Sequence, residues 1–110
     1  MEMHELDDVV RSQAMAGNAY LQFLNEGTLS VGHYALAAGE EDQQAPHAED
    51  EAYYVVSGRA MIRVGDEERP VQPGTVIFVG ARVPHRFFDI REDLSLLVFF
   101  APEHRLERAE

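Results

Sequence analysis

GEEDQQAPHAEDEAYYVVSG, residues Gly39 to Gly58, joins a loop rich in ligand-type side chains to a run suited to a β-strand. Ala52-Tyr53-Tyr54-Val55-Val56 is aromatic and β-branched, and Ser57-Gly58 carries turn chemistry. This predicts a strand after Glu51 that closes in a tight turn. Side chains of an extended segment alternate between faces. His47, Glu49, Glu51, Tyr53 and Val55 share one parity, so three groups able to bind a metal or a proton are expected on one face, ahead of two apolar ones. Glu40, Glu41, Asp42, Glu49, Asp50 and Glu51 also form an acidic cluster, which taken alone is the pattern of a solvated loop.

On either side of this stretch the chain reads mostly as strand. His4 to Ala16 places Leu6, Val9, Val10 and Met15 at helical spacing with acids early, predicting a short amphipathic helix stopped by Gly17-Asn18. Residues 1–18 are thus an expected helical arm. Ala19 to Leu24 and Thr28 to Ala38 read as strands around the Asn25-Glu26-Gly27 turn, with His33 either a pocket histidine or one that is exposed or satisfied locally. Arg59 to Val64, Arg69 to Gln72, Thr75 to Val79, His85 to Asp89 and Leu94 to Ala101 are further strands. They are separated by turns at 65–68, 73–74, 80–84 and 90–93. Seven or more short strands with no long helix between them predict an all-β sandwich or barrel over 19–102, followed by a charged tail over 103–110.

Composition narrows the chemistry. The chain has 110 residues, enough for one core. A formal net charge of -11 argues against nucleic acid or an anionic membrane as partner. All nine basic residues are Arg and there is no Cys, which removes lysine Schiff bases, cysteine nucleophiles, thiolate ligands and disulfides. No apolar run is long enough to span a bilayer, and MEMHELDDVV is acidic where a secretory signal would be basic. A cytoplasmic protein is expected.

A second stretch, Gly74 to Asp89, holds His85 at the opening of a strand, with Phe87 and Asp89 on its face. Together the two stretches resemble the motifs of the cupin superfamily. Gly39, five residues, Ala45, one residue, His47, three residues, Glu51, six residues and Gly58 reproduce the spacing of the first motif. Gly74, Gly80, Arg82, His85 and Asp89 stand at the marked positions of the second, with Gly80, Arg82 and Asp89 in place of the family's Pro, Gly and Asn. The resemblance covers Ala19 to Pro102 and implies a jelly-roll barrel, or double-stranded β-helix. Ala45 stands where the family has its first metal-binding His, so the implied ligand set falls to His47, Glu51 and His85.

Two imidazoles and a carboxylate could hold one divalent ion, with Fe, Mn, Zn, Ni and Cu all suited. Glu49 is the candidate fourth ligand or general base, and Tyr53, Phe87 and Tyr34 are the candidate walls of a small-molecule pocket. The resemblance implies either a metal-dependent enzyme of dioxygenase, isomerase or decarboxylase type, or a ligand-binding or sensory cupin whose metal site has degenerated. It also implies a homodimer, for which Leu94 to Ala101 or Ala19 to Leu24 could supply the contact surface.

Overall fold

The computed structural model describes residues 1–103; beyond Glu103 the expected charged tail, with His104, lies outside the described residues. One helix, α1 (Leu6–Ala16), precedes six strands: β1 (Tyr20–Asn25), β2 (Ser30–Leu36), β3 (Asp50–Val64), β4 (Glu67–Val71), β5 (Val76–Val79) and β6 (His85–Ala101). Every pairing is antiparallel, in the order β1-β2-β6-β3-β4 with β5 also on β3. The helix begins with Asp7 and Asp8, which favour its positive end, and stops at Gly17 in the left-handed region (φ 75°).

The sequence predicts seven or more short strands; the structure has six, two of them long. Ser57-Gly58 does not turn the chain back, and residues 90–93 are not a turn. Both lie inside continuous strands, β3 and β6, whose mutual register shifts between Val55 and Met61. Bulges have the same local chemistry as turns but leave the strand running on. Their effect is visible in the burial pattern. In β3 the buried residues are Glu51, Tyr53 and Val55 before the shift, and Gly58, Ala60 and Ile62 after it. In β6 they are His85 and Phe87, then Ile90, Leu94, Leu96, Val98 and Phe100. Each bulge changes which parity faces inward.

These bulges fold the sheet over on itself. Phe87 pairs in register with Ile62, nine residues beyond Tyr53, a distance of about 30 Å along a straight strand. Yet the Tyr53 and Phe87 rings meet edge to face with centroids 5.1 Å apart. The two halves of the long β3–β6 ladder therefore face each other, enclosing a core of Tyr53, Val55, Ile62, Phe87, Leu96 and Val98. The double-stranded barrel expected from the sequence is this folded ladder. Strand β6 lies between β2 and β3, so Leu94 to Ala101 is not an edge strand. The exposed aromatic and β-branched side chains lie instead on the outer face at Tyr54, Val76 and Phe78.

His33 sits away from the core. It is buried under α1, where its Nδ1 donates to Gln13 Oε1 and its Nε2 accepts from Ser95 Oγ at 2.5 Å. Gln13 Nε2 donates to the carbonyls of Ala19 and His33. Both imidazole nitrogens are used in the neutral form, and burial lowers the pKa of His33. A depressed histidine stabilises the fold above its unfolded pKa of about 6.5 and withdraws that contribution as pH falls below it. Between pH 7 and 5.5 the wild type should therefore lose more stability in urea melts than His33→Gln. Comparing the two isolates His33 from other titrating groups; parallel losses would contradict the assignment.

Candidate metal centre

Three elements bring the expected ligands together. Glu51 is the second residue of β3, paired with Phe100 on one side and Val79 on the other. His85 opens β6, and His47 lies in the loop between β2 and β3. The His47 carbonyl accepts the Arg82 N–H at 2.6 Å, tying this loop to the one that precedes His85. Among the described residues, His47, Glu51 and His85 form a group whose ligand atoms all lie within 4.8 Å of one another.

The hydrogen-bond pattern around His85 bears on what these groups could hold. Its Nδ1 donates to the Val83 carbonyl at 2.8 Å. A carbonyl can only accept, so in the neutral ring the Nε2 lone pair points away from Val83. Nε2 lies 3.0 Å from Glu51 Oε1, with both side chains buried. The two groups are within ion-pair distance, although among the described residues neither His85 Nε2 nor either Glu51 oxygen makes a hydrogen bond of good geometry. A neutral lone pair facing a buried carboxylate is unfavourable, and either a proton on Nε2 or a metal cation relieves it. Burial opposes a charge on His85, but the Glu51 carboxylate, the Val83 carbonyl and the charge of Asp42 outweigh it and raise the imidazole pKa. A divalent ion supplies the same positive charge and satisfies several of these orphaned atoms at once, so the residues fit a metal.

Beside the group lies a cavity of about 320 Å³ lined by Tyr20, Tyr34, Gln44, His47, Glu51, Val98 and Phe100. It is walled by rings and an aliphatic side chain, with the polar groups gathered at the ligand end. The Tyr20 ring enters over Gly32, where an added Cβ would overlap it. Its hydroxyl is buried and has no partner among the described residues, and burial and the Glu51 charge raise its pKa. A more open neighbouring cleft shares Tyr34 and Gln44 with this cavity and carries the acidic Glu40 and Glu41. A separate cleft of about 390 Å³ near Arg59, Gln72 and Arg91 gathers no comparable ligand group.

The other expected site residues fall in several places. Tyr34 lines the cavity. Tyr53 and Phe87 are fully buried in the core; of the two, Tyr53 reaches the polar cluster, donating its hydroxyl to Gln44 Oε1 at 3.0 Å. Burial and the Glu51 charge keep the Tyr53 hydroxyl protonated. Glu49 is buried but lies outside the three-residue group, because β3 begins only at Asp50 and strand parity does not extend back to Glu49. Ala45 is exposed.

Two residues that the sequence leaves in an undifferentiated polar loop turn out to be structural parts of the site. Asp42 is buried, accepting the Tyr34 hydroxyl at 2.7 Å and the Phe87 N–H at 2.8 Å. Gln44 donates to Asp42 Oδ2 at 2.7 Å, and its Oε1 accepts a hydrogen bond from His47 Nε2 at 3.3 Å. No periodicity operates in such a loop, so its pattern carries no signal that singles them out.

Comparison with known proteins is consistent with this architecture. Residues 32–100 match the family model described as Cupin domain. The uncharacterized protein SCO3923 of Streptomyces coelicolor is 52% identical over 102 residues, covering 93% of this chain and 97% of its own length. Among solved structures, TT1209 from Thermus thermophilus superposes with a TM-score of 0.73 at 26% identity, covering 93% of this chain and 98% of that one. The DMSP lyase DddQ from Ruegeria pomeroyi also gives 0.73, at 22% identity, covering 83% of this chain and 49% of that one.

Proposed function

The chain belongs to the cupin domain family, and from that footing we propose that it is a metal-dependent cupin acting on a small organic molecule. His47, Glu51 and His85 would hold one divalent ion at the polar end of the cavity. The observation that carries this reading is the convergence of His47, Glu51 and His85, whose ligand atoms all lie within 4.8 Å of one another, with the buried His85 Nε2 3.0 Å from Glu51 Oε1. A bound ion would supply Lewis acidity or oxygen activation there. The chain's own residues bind and shield: Tyr20, Tyr34, Val98 and Phe100 enclose the molecule, and the unpartnered Tyr20 hydroxyl offers it a hydrogen bond. Among the described residues no Arg lines this cavity, and the neighbouring cleft carries Glu40 and Glu41. A neutral molecule with an oxygen able to reach the ion suits it better than a polyanion.

Thermal melts of the metal-free chain test this. A divalent ion at about one hundred times its Kd adds about 2.7 kcal/mol, which for a domain of this size raises Tm by roughly 10 °C or more. The rise should vanish in His47→Ala. A second reading, a binding cupin without metal, is favoured by the exposed Ala45. It expects no rise with any ion.

A further inference from the structure

Resting on the metal reading above, we infer that Gln44 is a fourth ligand of the centre, contributing its side-chain amide oxygen. The loop turns Ala45 outward and Gln44 into the cavity, beside His47 and Glu51. Donors bound at 2.0–2.2 Å to one ion lie about 3.0 Å apart along an octahedral edge and about 3.4 Å apart along a tetrahedral one. Glu51 Oε1 and His85 Nε2 are 3.0 Å apart, and Gln44 Oε1 and His47 Nε2 are 3.3 Å apart. The first pair is in ion-pair contact and the second is hydrogen-bonded, and an ion held between the four atoms would keep them at comparable spacings.

The direction of the amide is determined by its partners. Gln44 Nε2 donates to Asp42 Oδ2, and an ionised carboxylate cannot accept from an oxygen, so the amide cannot be reversed. Asp42 is itself held by Tyr34 and by the Phe87 N–H. Tyr53 donates to Gln44 Oε1 at 3.0 Å from the other side. Such outer partners are what orient a ligand in metal sites. The resulting set is two imidazoles, one carboxylate and one amide oxygen. It is harder than an all-nitrogen set and carries a single negative charge, a combination suited to Mn(II), Fe(II) or Zn(II).

Calorimetric titration of the metal-free, tag-free chain with Zn(II) and with Mn(II) tests the inference. Gln44→Leu should bind at least about tenfold more weakly than wild type. Gln44→Glu keeps an oxygen in place and should bind within tenfold of wild type or tighter. If Gln44 served only to hold Asp42 by its NH₂ group, Glu would be as harmful as Leu, since it sets a second carboxylate against Asp42. Leucine binding like wild type, or glutamate as weak as leucine, overturns the inference. Should the leucine variant fail to fold, the glutamate variant decides alone. A wild type that binds neither ion would refute the metal reading itself, whereas tight wild-type binding unchanged in Gln44→Leu would remove Gln44 only.

Discussion

Glu51→Gln is expected to weaken divalent-metal binding more than about 100-fold while making the metal-free chain more stable by about 1–2 kcal/mol. The first effect follows from removing the one anionic donor of the group. It should exceed the 10–100-fold typical of outer-shell changes. The second follows from the orphaned atoms. Both Glu51 oxygens and His85 Nε2 lack hydrogen-bond partners among the described residues, and each such buried group costs about 1–3 kcal/mol. Glutamine has nearly the same shape and can donate its amide to His85 Nε2, removing a charge and a mismatch together. Calorimetry for affinity and urea melts for stability measure the two effects independently. A variant that keeps metal binding would exclude Glu51 as a ligand. One that is less stable would mean that the ion pair with His85 stabilises the fold, and that its geometry is not an arrangement awaiting a metal.

Gly58→Ala should be the most damaging single methyl in the barrel. Gly58 has φ 99°, which alone costs other residues about 1–3 kcal/mol. An added Cβ would also overlap the Asp93 carbonyl oxygen and stand 2.8 Å from Leu94 Cα, where backbone cannot give way. Overpacking of this kind adds about 1–3 kcal/mol. The sum approaches half or more of the 5–15 kcal/mol that stabilises a typical domain. Gly74→Ala is the control: its φ is 93°, but nothing lies within 4 Å of the added atom, so only the conformational cost remains. Equal melting temperatures for the two variants would contradict the role given to the close approach of β3 and β6.

The same glycine marks the limit of what strand periodicity conveys. Alternation beginning at Asp50 correctly puts Glu51, Tyr53 and Val55 on one buried face, whereas turn chemistry at Ser57-Gly58 marks a bulge and not the expected tight turn. That chemistry does not say whether the chain reverses there or bulges and runs on, because the outcome depends on the approach of Asp93 and Leu94 from a strand 35 residues away. Phe87 was expected at the pocket for the same reason: its face is legible locally, but its place behind Tyr53 exists only once the ladder folds over. The motif spacing locates His47, Glu51 and His85 because it records how far each stands from a glycine bend or a strand start. Asp42 and Gln44 follow no period and are recruited by hydrogen bonds to Tyr34, Tyr53 and the Phe87 N–H. Those contacts arise only in three dimensions. The reading of the acidic cluster as a solvated loop holds for Glu40, Glu41 and Asp50, which are exposed, and fails for Asp42, Glu49 and Glu51, which are buried.

The most direct measurement is the metal content of tag-free protein, stripped with chelator and then offered each of Fe(II), Mn(II), Zn(II), Ni(II) and Cu(II), with His47→Ala and His85→Ala treated alongside. One ion per wild-type chain, absent from both variants, is the expected result, and the identity of the ion retained would set the class of reaction to be sought. A wild type that retains none of the five would contradict the metal centre, leaving the cavity between Tyr20, Tyr34 and Phe100 as a binding pocket for a molecule that meets no metal there.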